Sequence, residues 1–301
     1  MLTLPGAAPW VLMKPDSTGR PLGDLERAHL RAPGDDSHVM HRYPAPEALA
    51  GLVRWFWVPV WSLPAGQRSV QRVLQHPVSL LVVTPGYARF YGASTGLSET
   101  VLEGDGWAVG VLCTPAAGAL VAGGSMAAFT DRHVDVTEVL GPAGARLAER
   151  VRAAMQDAPL AVGSHAGALA AFEEVLRPLL PLDAESELVN RLVTLVEDRP
   201  DLVRAAQLAA ETGMSERALQ RLVSRRLGLT PKWLIQRRRL HEAAARLRSD
   251  TGSTLAETAA LLGYADQAHF VRDFSRVTGT TPGRFAGEHR AALRAAEERS
   301  R

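Results

Sequence analysis

One pattern of small, aromatic and turn-forming residues occurs twice near the C-terminus, and it constrains the fold more than any other feature. The second copy comprises Ala259, Gly263-Tyr264, Phe270, Arg272, Phe274, Gly279 and Thr281-Pro282. The first copy comprises Ala209, Gly213-Met214, Leu219, Arg221, Val223, Gly228 and Thr230-Pro231. The Ala and first Gly positions lie 50 residues apart and the Thr-Pro pairs 51 apart, so one residue is inserted in the second copy. Tandem copies indicate a duplicated unit with a duplicated target.

Each copy predicts a helix, a sharp turn and a second helix. Gly213 and Gly263 supply the left-handed conformation that ends the first helix. Ser215 and Asp266 are suitable N-caps for the second helices, and each Thr-Pro pair begins another helix. This is the helix-turn-helix plan, in which the second helix enters the major groove of DNA.

Helical periodicity separates an inner and an outer face on both second helices. At about 100° per residue, the inner faces carry Leu219, Leu222 and Val223 in the first copy and Phe270, Phe274 and Val277 in the second. The outer faces carry Arg217, Gln220, Arg221, Ser224 and Arg225, and then His269, Arg272, Ser275 and Arg276. Such side chains donate to phosphates and base edges. The alternative is an ordinary solvated face, which two copies in register make less favourable.

The segment between the copies is predicted to be one long helix, from Pro231 to about Arg248. Eighteen residues span about 27 Å, which suits two readers in successive major grooves. The run Arg237-Arg238-Arg239 on this helix is either a solvated charged face or a phosphate contact.

The region from about Ala184 to Arg290 resembles the DNA-binding domain of the AraC/XylS transcription regulators. The resemblance implies seven helices, with two helix-turn-helix units joined by a long central helix. It also implies base contacts from Arg217, Gln220 and Arg221 in the first unit and from Gln267, His269, Val271 and Arg272 in the second. The partners it implies are double-stranded DNA, RNA polymerase if the protein is an activator, and a second protomer if it dimerises.

The sequence predicts an α+β chain with a β-rich, barrel or cupin-like N-terminal domain and an all-α C-terminal domain. Its predicted parts are an extended arm over 1–37, a regulatory domain over 38–182, the DNA-binding domain over 184–290 and a tail over 291–301. Strands are predicted at Val53–Trp61, Ser69–Leu74, Val78–Val83, Tyr87–Tyr91 and Trp107–Cys113.

Two helices are predicted after the strands, over Pro142–Met155 and His165–Leu179. The second carries a stripe of Leu169, Phe172 and Leu176. This stripe either packs against a second protomer or the DNA-binding domain, or covers its own barrel. AraC-like regulators often carry a β-rich domain followed by helices of this kind, with effectors that the resemblance does not identify.

The charge is unevenly distributed. The net charge is +2, but from Ala184 to Arg301 there are 20 Lys+Arg against 15 Asp+Glu, which leaves +5 there and −3 elsewhere. The surplus is on the half predicted to bind DNA. No signal peptide or membrane span is apparent, so we expect a cytoplasmic protein, and the Ala- and Arg-rich composition suggests a bacterial source.

Tryptophan is concentrated in the N-terminal half. Trp55, Trp57 and Trp61 have the same strand parity, with Phe56 on the opposite face, and Trp107 follows later. These four are the candidate ligand-binding residues for an apolar or aromatic effector, although barrel core is the plainer interpretation.

The sequence supplies no catalytic residues, cofactor site or metal set. His38, His41, His76 and His133 show no metal-ligand spacing, and the single cysteine, Cys113, is expected to be a buried, inert thiol. We therefore predict a DNA-binding transcription regulator whose N-terminal domain senses a small molecule or a partner. The alternatives are a cupin-like enzyme with an added DNA-binding domain and a ligand-independent regulator that uses the N-terminal domain for dimerisation.

Overall fold

The computed structural model describes residue 30, residues 35–249 and residues 253–299. Nine strands lie in these ranges: β1 Val39–Pro44, β2 Val53–Ser62, β3 Arg68–Val73, β4 Leu80–Val83, β5 Ala88–Tyr91, β6 Ser98–Glu103, β7 Asp105–Trp107, β8 Val109–Cys113 and β9 His133–Asp135. The α-helices of the same ranges are α1 Ala117–Val121, α2 Val136–Leu140, α3 Pro142–Met155, α4 Val162–Leu176, α5 Ala184–Asp198, α6 Ala205–Glu211, α7 Glu216–Leu227, α8 Pro231–Arg248, α9 Leu255–Leu261, α10 Gln267–Thr278 and α11 Pro282–Arg299.

The N-terminal strands form two antiparallel sheets. The larger sheet has the order β1-β2-β8-β4-β5-β9, with β7 also paired to β2. The smaller sheet consists of β3 and β6, whose registered pairs run from Arg68 with Glu103 to Val73 with Ser98. One face of the larger sheet is covered by helices, and the other faces the smaller sheet across a cavity.

The helices α3 and α4 cover the larger sheet and complete its core. Phe56 of β2 and Phe172 of α4 are both fully buried there, with ring centroids 6.3 Å apart. Leu169 and Leu176, the other members of the predicted stripe, are also fully buried in this cluster. The stripe therefore covers its own sheet, and the interpretation as a contact with a second protomer or with the DNA-binding domain is wrong.

The seven helices α5 to α11 form the C-terminal domain, as predicted. They enclose two cores. One core includes Leu219, Val223 and Leu234 from α7 and α8, and the other includes Phe270, Phe274 and Phe285 from α10 and α11. The α+β architecture, with sheets first and seven helices after, is confirmed.

Several elements differ from the sequence-based expectation. The strands β1, β6 and β9 were not predicted, and in β6 and β9 most residues are polar. The expected strand Trp107–Cys113 is divided into β7 and β8. Residues 291–299 continue α11, where a separate tail was expected. The predicted arm lies outside the described residues, apart from residue 30 and residues 35–37. No helix among the described residues is long and apolar enough to cross a membrane.

Candidate nucleic-acid interface and ligand cavity

The first helix-turn-helix unit consists of α6 and α7. Gly213 has a φ of 65°, and the amide of Met214 behind it donates to the carbonyl of Ala209 at 3.0 Å. Ser215 then accepts a hydrogen bond from the amide of Ala218 at 3.2 Å and so caps α7. The turn and cap have the form that the sequence predicted, because only glycine adopts this left-handed backbone without strain.

The second unit, α9 and α10, repeats this geometry. Gly263 has a φ of 71°, and the Tyr264 amide donates to the Ala259 carbonyl at 2.9 Å. Asp266 caps α10 by accepting from the His269 amide at 2.6 Å, and Thr254 with Glu257 forms a capping box on α9. The equivalence of the turns shows that the sequence repeat is a structural repeat.

The outward face of α7 presents three hydrogen-bond donor side chains that pair with no acidic residue among the described residues. Arg217, Gln220 and Arg221 are exposed, and none of them forms an ion pair or a side-chain hydrogen bond within the described residues. Arg225 is also exposed but pairs with Glu185 of α5, and Ser224 is half-buried. Three of the five predicted side chains of this helix are therefore ready to bind an external acceptor.

The outward face of α10 is similar but more constrained. Gln267 and Arg272 are exposed and, among the described residues, carry no side-chain partner. His269 is half-buried, with Nε2 3.7 Å from an oxygen of Asp273. Asp273 also pairs with Arg276, at 3.3 Å. Arg272 is thus the counterpart of Arg221, which lies 51 positions earlier in the first unit.

The run Arg237-Arg238-Arg239 is not a solvated face, because each of its side chains contacts another part of the protein. Arg237 is only 2% exposed. The side chain of Arg238 donates to the carbonyls of Pro200 and Leu202, at 3.1 and 3.3 Å. Arg239 lies over the ring of Tyr264, with its guanidinium carbon 3.6 Å from the centroid. Three consecutive residues on a helix point in three directions, and here each direction meets another part of the protein.

The N-terminal domain contacts the first unit directly at one place and contacts α5, which packs in the same core as α7, at two others. Thr130 donates to the carbonyl of Gly228, the residue after α7, at 2.7 Å. Arg54 of β2 forms a two-bond ion pair with Glu197 of α5, at 2.9 and 3.1 Å. Asn190 of α5 accepts from the Ala116 amide at 2.9 Å. The first unit is therefore fixed to the N-terminal domain.

A cavity of about 550 Å³ lies between the two sheets of the N-terminal domain. Its aromatic lining includes Trp57 and Trp61 of β2 together with Tyr87 and Tyr91. Its volume is in the range of small-molecule sites.

Glycine makes room for both indoles. A Cβ on Gly110 of β8 would overlap the Trp57 ring, with the indole nitrogen only 2.7 Å away. A Cβ on Gly106 of β7 would lie 2.6 Å from Cε2 of Trp61. The two rings therefore lie directly on neighbouring backbone and form a flat part of the cavity wall.

The ionisable groups at the cavity are mainly basic. Arg42, Arg89, His38, His76 and His133 line it, together with one acid, Glu99, which is paired with Arg72 at 2.6 Å. The guanidinium carbon of Arg89 lies 4.2 Å from the ring centroid of Tyr87. These basic residues lie far apart in the chain and form no short motif, so they could not be recognised from the sequence.

The four candidate tryptophans do not act together. Trp57 and Trp61 line the cavity, whereas Trp107 is 7% exposed in the core on the helical side of the larger sheet. Trp55 is half-buried and does not line the cavity. The register shift in the pairing with β8 lies between Val53 and Trp55, and Trp55 itself pairs regularly with Leu112 and keeps the parity of Trp57.

Buried polar groups of the domain serve its packing. Burial raises the pKa of the Cys113 thiol to about 12, so it stays protonated and inert at neutral pH. His165 donates from Nε2 to the Pro159 carbonyl at 2.7 Å and accepts from the Tyr43 hydroxyl at 2.5 Å on Nδ1. Within the described residues, no three His, Cys, Asp or Glu side chains are grouped as a metal site.

Two stretches of the chain match known families. Residues 208–288 match a family described as a helix-turn-helix domain, and residues 41–135 match a domain of unknown function (DUF6597). The transcriptional activator NphR of Rhodococcus sp. is 33% identical over 87 residues, which are 29% of this chain and 25% of NphR. The chain thus spans about a quarter of the length of that relative.

Solved structures give weaker similarities. The C-terminal domain of AraT, a response regulator from Geobacillus stearothermophilus, is 25% identical, with a TM-score of 0.31, over 35% of this chain and 87% of that one. ToxT of Vibrio cholerae O395 is 11% identical, with a TM-score of 0.38, over 77% of this chain and 97% of that one. Both scores are low, so the assignment rests on the sequence matches and the geometry of the two units.

Two matched helix-turn-helix units on one connecting helix define a DNA-binding domain. Residues 208–288 of the C-terminal part form the helix-turn-helix domain that the family match describes.

Proposed function

We propose that the protein is a transcription regulator that reads two successive major grooves of double-stranded DNA with α7 and α10. The observation that supports this most directly is the pair of equivalent, exposed arginines, Arg221 and Arg272, which have no acidic partner among the described residues. An arginine free of intramolecular ion pairs binds phosphate or guanine without first breaking a contact.

The helix α8 fits the required spacing. Its 18 residues extend for about 27 Å, close to the roughly 34 Å between successive major grooves. Because each protomer carries two readers, we propose that one protomer occupies both grooves. Pairing into a homodimer and contact with RNA polymerase stay predictions, as do the bacterial source and the cytoplasmic location.

The test begins with duplexes selected by the full-length protein from a random pool. Replacing Arg221 or Arg272 by Ala should weaken binding by about 1–3 kcal/mol if the contact is to a base. The two losses should appear in footprints at half-sites about one helical turn apart. Arg246→Ala is the matched control, because Arg246 lies on α8 and pairs only with Glu242 among the described residues. If both variants keep the wild-type affinity and footprint, the reading faces are misassigned.

We propose that the N-terminal cavity binds a small effector with an apolar or aromatic body. The supporting observations are its volume of about 550 Å³ and the two indoles exposed on its wall. A library of aromatic compounds should contain members that raise the thermal midpoint of the protein and change its tryptophan fluorescence. Gly110→Ala should abolish both effects, because the added methyl displaces Trp57 into the cavity.

If no compound acts on wild type while DNA binding is intact, a ligand-independent regulator that uses the N-terminal domain for dimerisation would be favoured. Chemical conversion of a bound compound would favour a cupin-like enzyme with an added DNA-binding domain.

A further inference from the structure

We propose that the small β3–β6 sheet transmits the state of the cavity to α8, the helix that carries both DNA readers. This inference rests on the proposed function. It assigns a regulatory role to two contacts between this sheet and α8.

The β3–β6 sheet is one wall of the cavity. Gln71 and Val73 of β3 line it, as do Ser98, Thr100 and Leu102 of β6. Val73 pairs with Ser98 at one end of the sheet. The segment that follows β3 and the segment that precedes β6 therefore lie side by side. Both segments contact α8.

The first contact follows β3. Leu74 is fully buried in the core of the second unit, in the same cluster as Leu240 of α8 and Phe274 of α10. Two residues later, His76 lines the cavity, and its ring packs edge-on against His241 of α8 with centroids 4.5 Å apart. A single short segment thus contacts both the cavity and the second DNA-reading unit.

The second contact precedes β6. Arg237 of α8 donates to the carbonyls of Thr95 and Ser94, at 2.6 and 3.3 Å, and also reaches Gly96. Its guanidinium stacks on Trp233, 4.5 Å from the ring centroid. Burial lowers its pKa to about 10, so it remains charged at neutral pH. A buried charge is costly without hydrogen-bond partners, so displacement of the loop carbonyls is strongly resisted.

The two contacts hold the same end of the small sheet against one helix. A ligand that displaces this wall must move α8 with it or release the contacts of Arg237 and His241. Either change alters the placement of the two readers relative to the N-terminal domain. By thermodynamic reciprocity, DNA that fixes the readers must act back on the cavity wall.

Hydrogen exchange of the full-length protein tests this without a known effector. The probe is a duplex selected from a random pool, added at saturation. We expect the duplex to change the exchange rates of residues 71–76 and 98–102 by on the order of fivefold or more, corresponding to a coupling of ordinary size. Because residues 98–102 lie in the cavity wall, contact with DNA on the reading faces would not by itself affect them.

Variants separate coupling from simple stabilisation. In the double variant Arg237→Met, His241→Phe, whose substitutions retain apolar bulk, the duplex should still bind while residues 98–102 no longer respond. The matched control Arg246→Met, on the same helix, should respond like wild type. If the double variant does not fold, two measurements test the inference. These are the exchange rates of wild type with and without the duplex, and the same comparison for the single variant Arg237→Met.

Three results overturn the inference. The first is that wild type binds the duplex with no change in the hydrogen-exchange rates of residues 71–76 and 98–102. The second is that the folded double variant shows the same change in exchange rates as wild type. Failure to select any duplex would refute the proposed function, and this inference with it.

Discussion

Replacing Gly228 by Ala should weaken the direct contact between the first DNA-reading unit and the N-terminal domain. Gly228 follows α7 with a φ of 72°, and Gly279 follows α10 with a φ of 71°. A Cβ on Gly228 would lie 2.6 Å from the carbonyl oxygen of Met126 and would also overlap the Thr130 hydroxyl. A Cβ on Gly279 would meet nothing within 4 Å. The two positions share the backbone constraint and differ in the domain contact.

The magnitudes follow from this difference. Alanine in the left-handed conformation costs about 1–2 kcal/mol, and both variants incur that cost. In Gly228→Ala, the Met126–Thr130 segment must also shift, since the nearest atoms include backbone. Overpacking of this kind costs about 1–3 kcal/mol, and losing the Thr130 hydrogen bond adds about 0.5–1.5 kcal/mol. We expect Gly228→Ala to lose about 1.5–4.5 kcal/mol more than Gly279→Ala.

Urea unfolding should be followed with two probes. Tryptophan fluorescence reports mainly on the N-terminal half, which holds five of the six tryptophans, and circular dichroism reports on the helices. In Gly228→Ala the two transitions should move apart, because one of the contacts that link the domains is weakened. Equal losses of unfolding free energy in the two variants would show that the Gly228 contact contributes nothing, and would refute the reasoning.

Three further changes test other parts of the structure. Gly110→Ala should shift the fluorescence emission of the folded protein by displacing Trp57, whereas Gly96→Ala, with nothing within 4 Å of its added Cβ, should not. Phe274→Ala should cost about 3–5 kcal/mol and melt the second unit first, since this ring is fully buried among Phe270 and Phe285; a loss in circular dichroism stability below about 1 kcal/mol would contradict that. Desolvation, His76 and Arg237 hold the pKa of His241 well below its ordinary value of 6.5, so unfolding takes up a proton and stability should decline as the pH falls below about 6.5. His241→Phe should reduce this decline between about pH 7 and pH 5, and an unchanged slope in urea titrations would exclude His241 as its source.

The C-terminal domain was predictable because its signals are local. Caps and left-handed glycines act over four or five residues, and the repeat supplied each signal twice. The outer and inner faces of α7 and α10 then followed from helical periodicity. Burial of Arg237 was not predictable in this way, because its partners, residues 94–96, are about 140 positions earlier in the chain.

The N-terminal domain was predictable only in outline. Phe56 and Trp57 face opposite sides of β2 because alternation is a local rule, and this much was expected. Trp55 obeys the same rule, since it pairs in register with Leu112, but it is not among the residues that line the cavity. Trp107 was a ligand candidate by composition alone and lies in the core, outside the cavity lining, because the face that β7 presents depends on its pairing with β2. The basic lining of the cavity depends on how separate strands assemble, which no short stretch of sequence specifies.

The uneven attachment of the two readers has a consequence for the order of events on DNA. Thr130 fixes the first unit directly, and Arg54 and Ala116 fix it through α5, whereas the second is held through α8 and Leu74. The first reader therefore enters its groove already oriented, and the second loses more orientational freedom when it binds. We expect association in two kinetic steps, with the half-site of α7 occupied first. In stopped-flow mixing, changing the half-site of α10 should then alter the slower phase and leave the faster one intact.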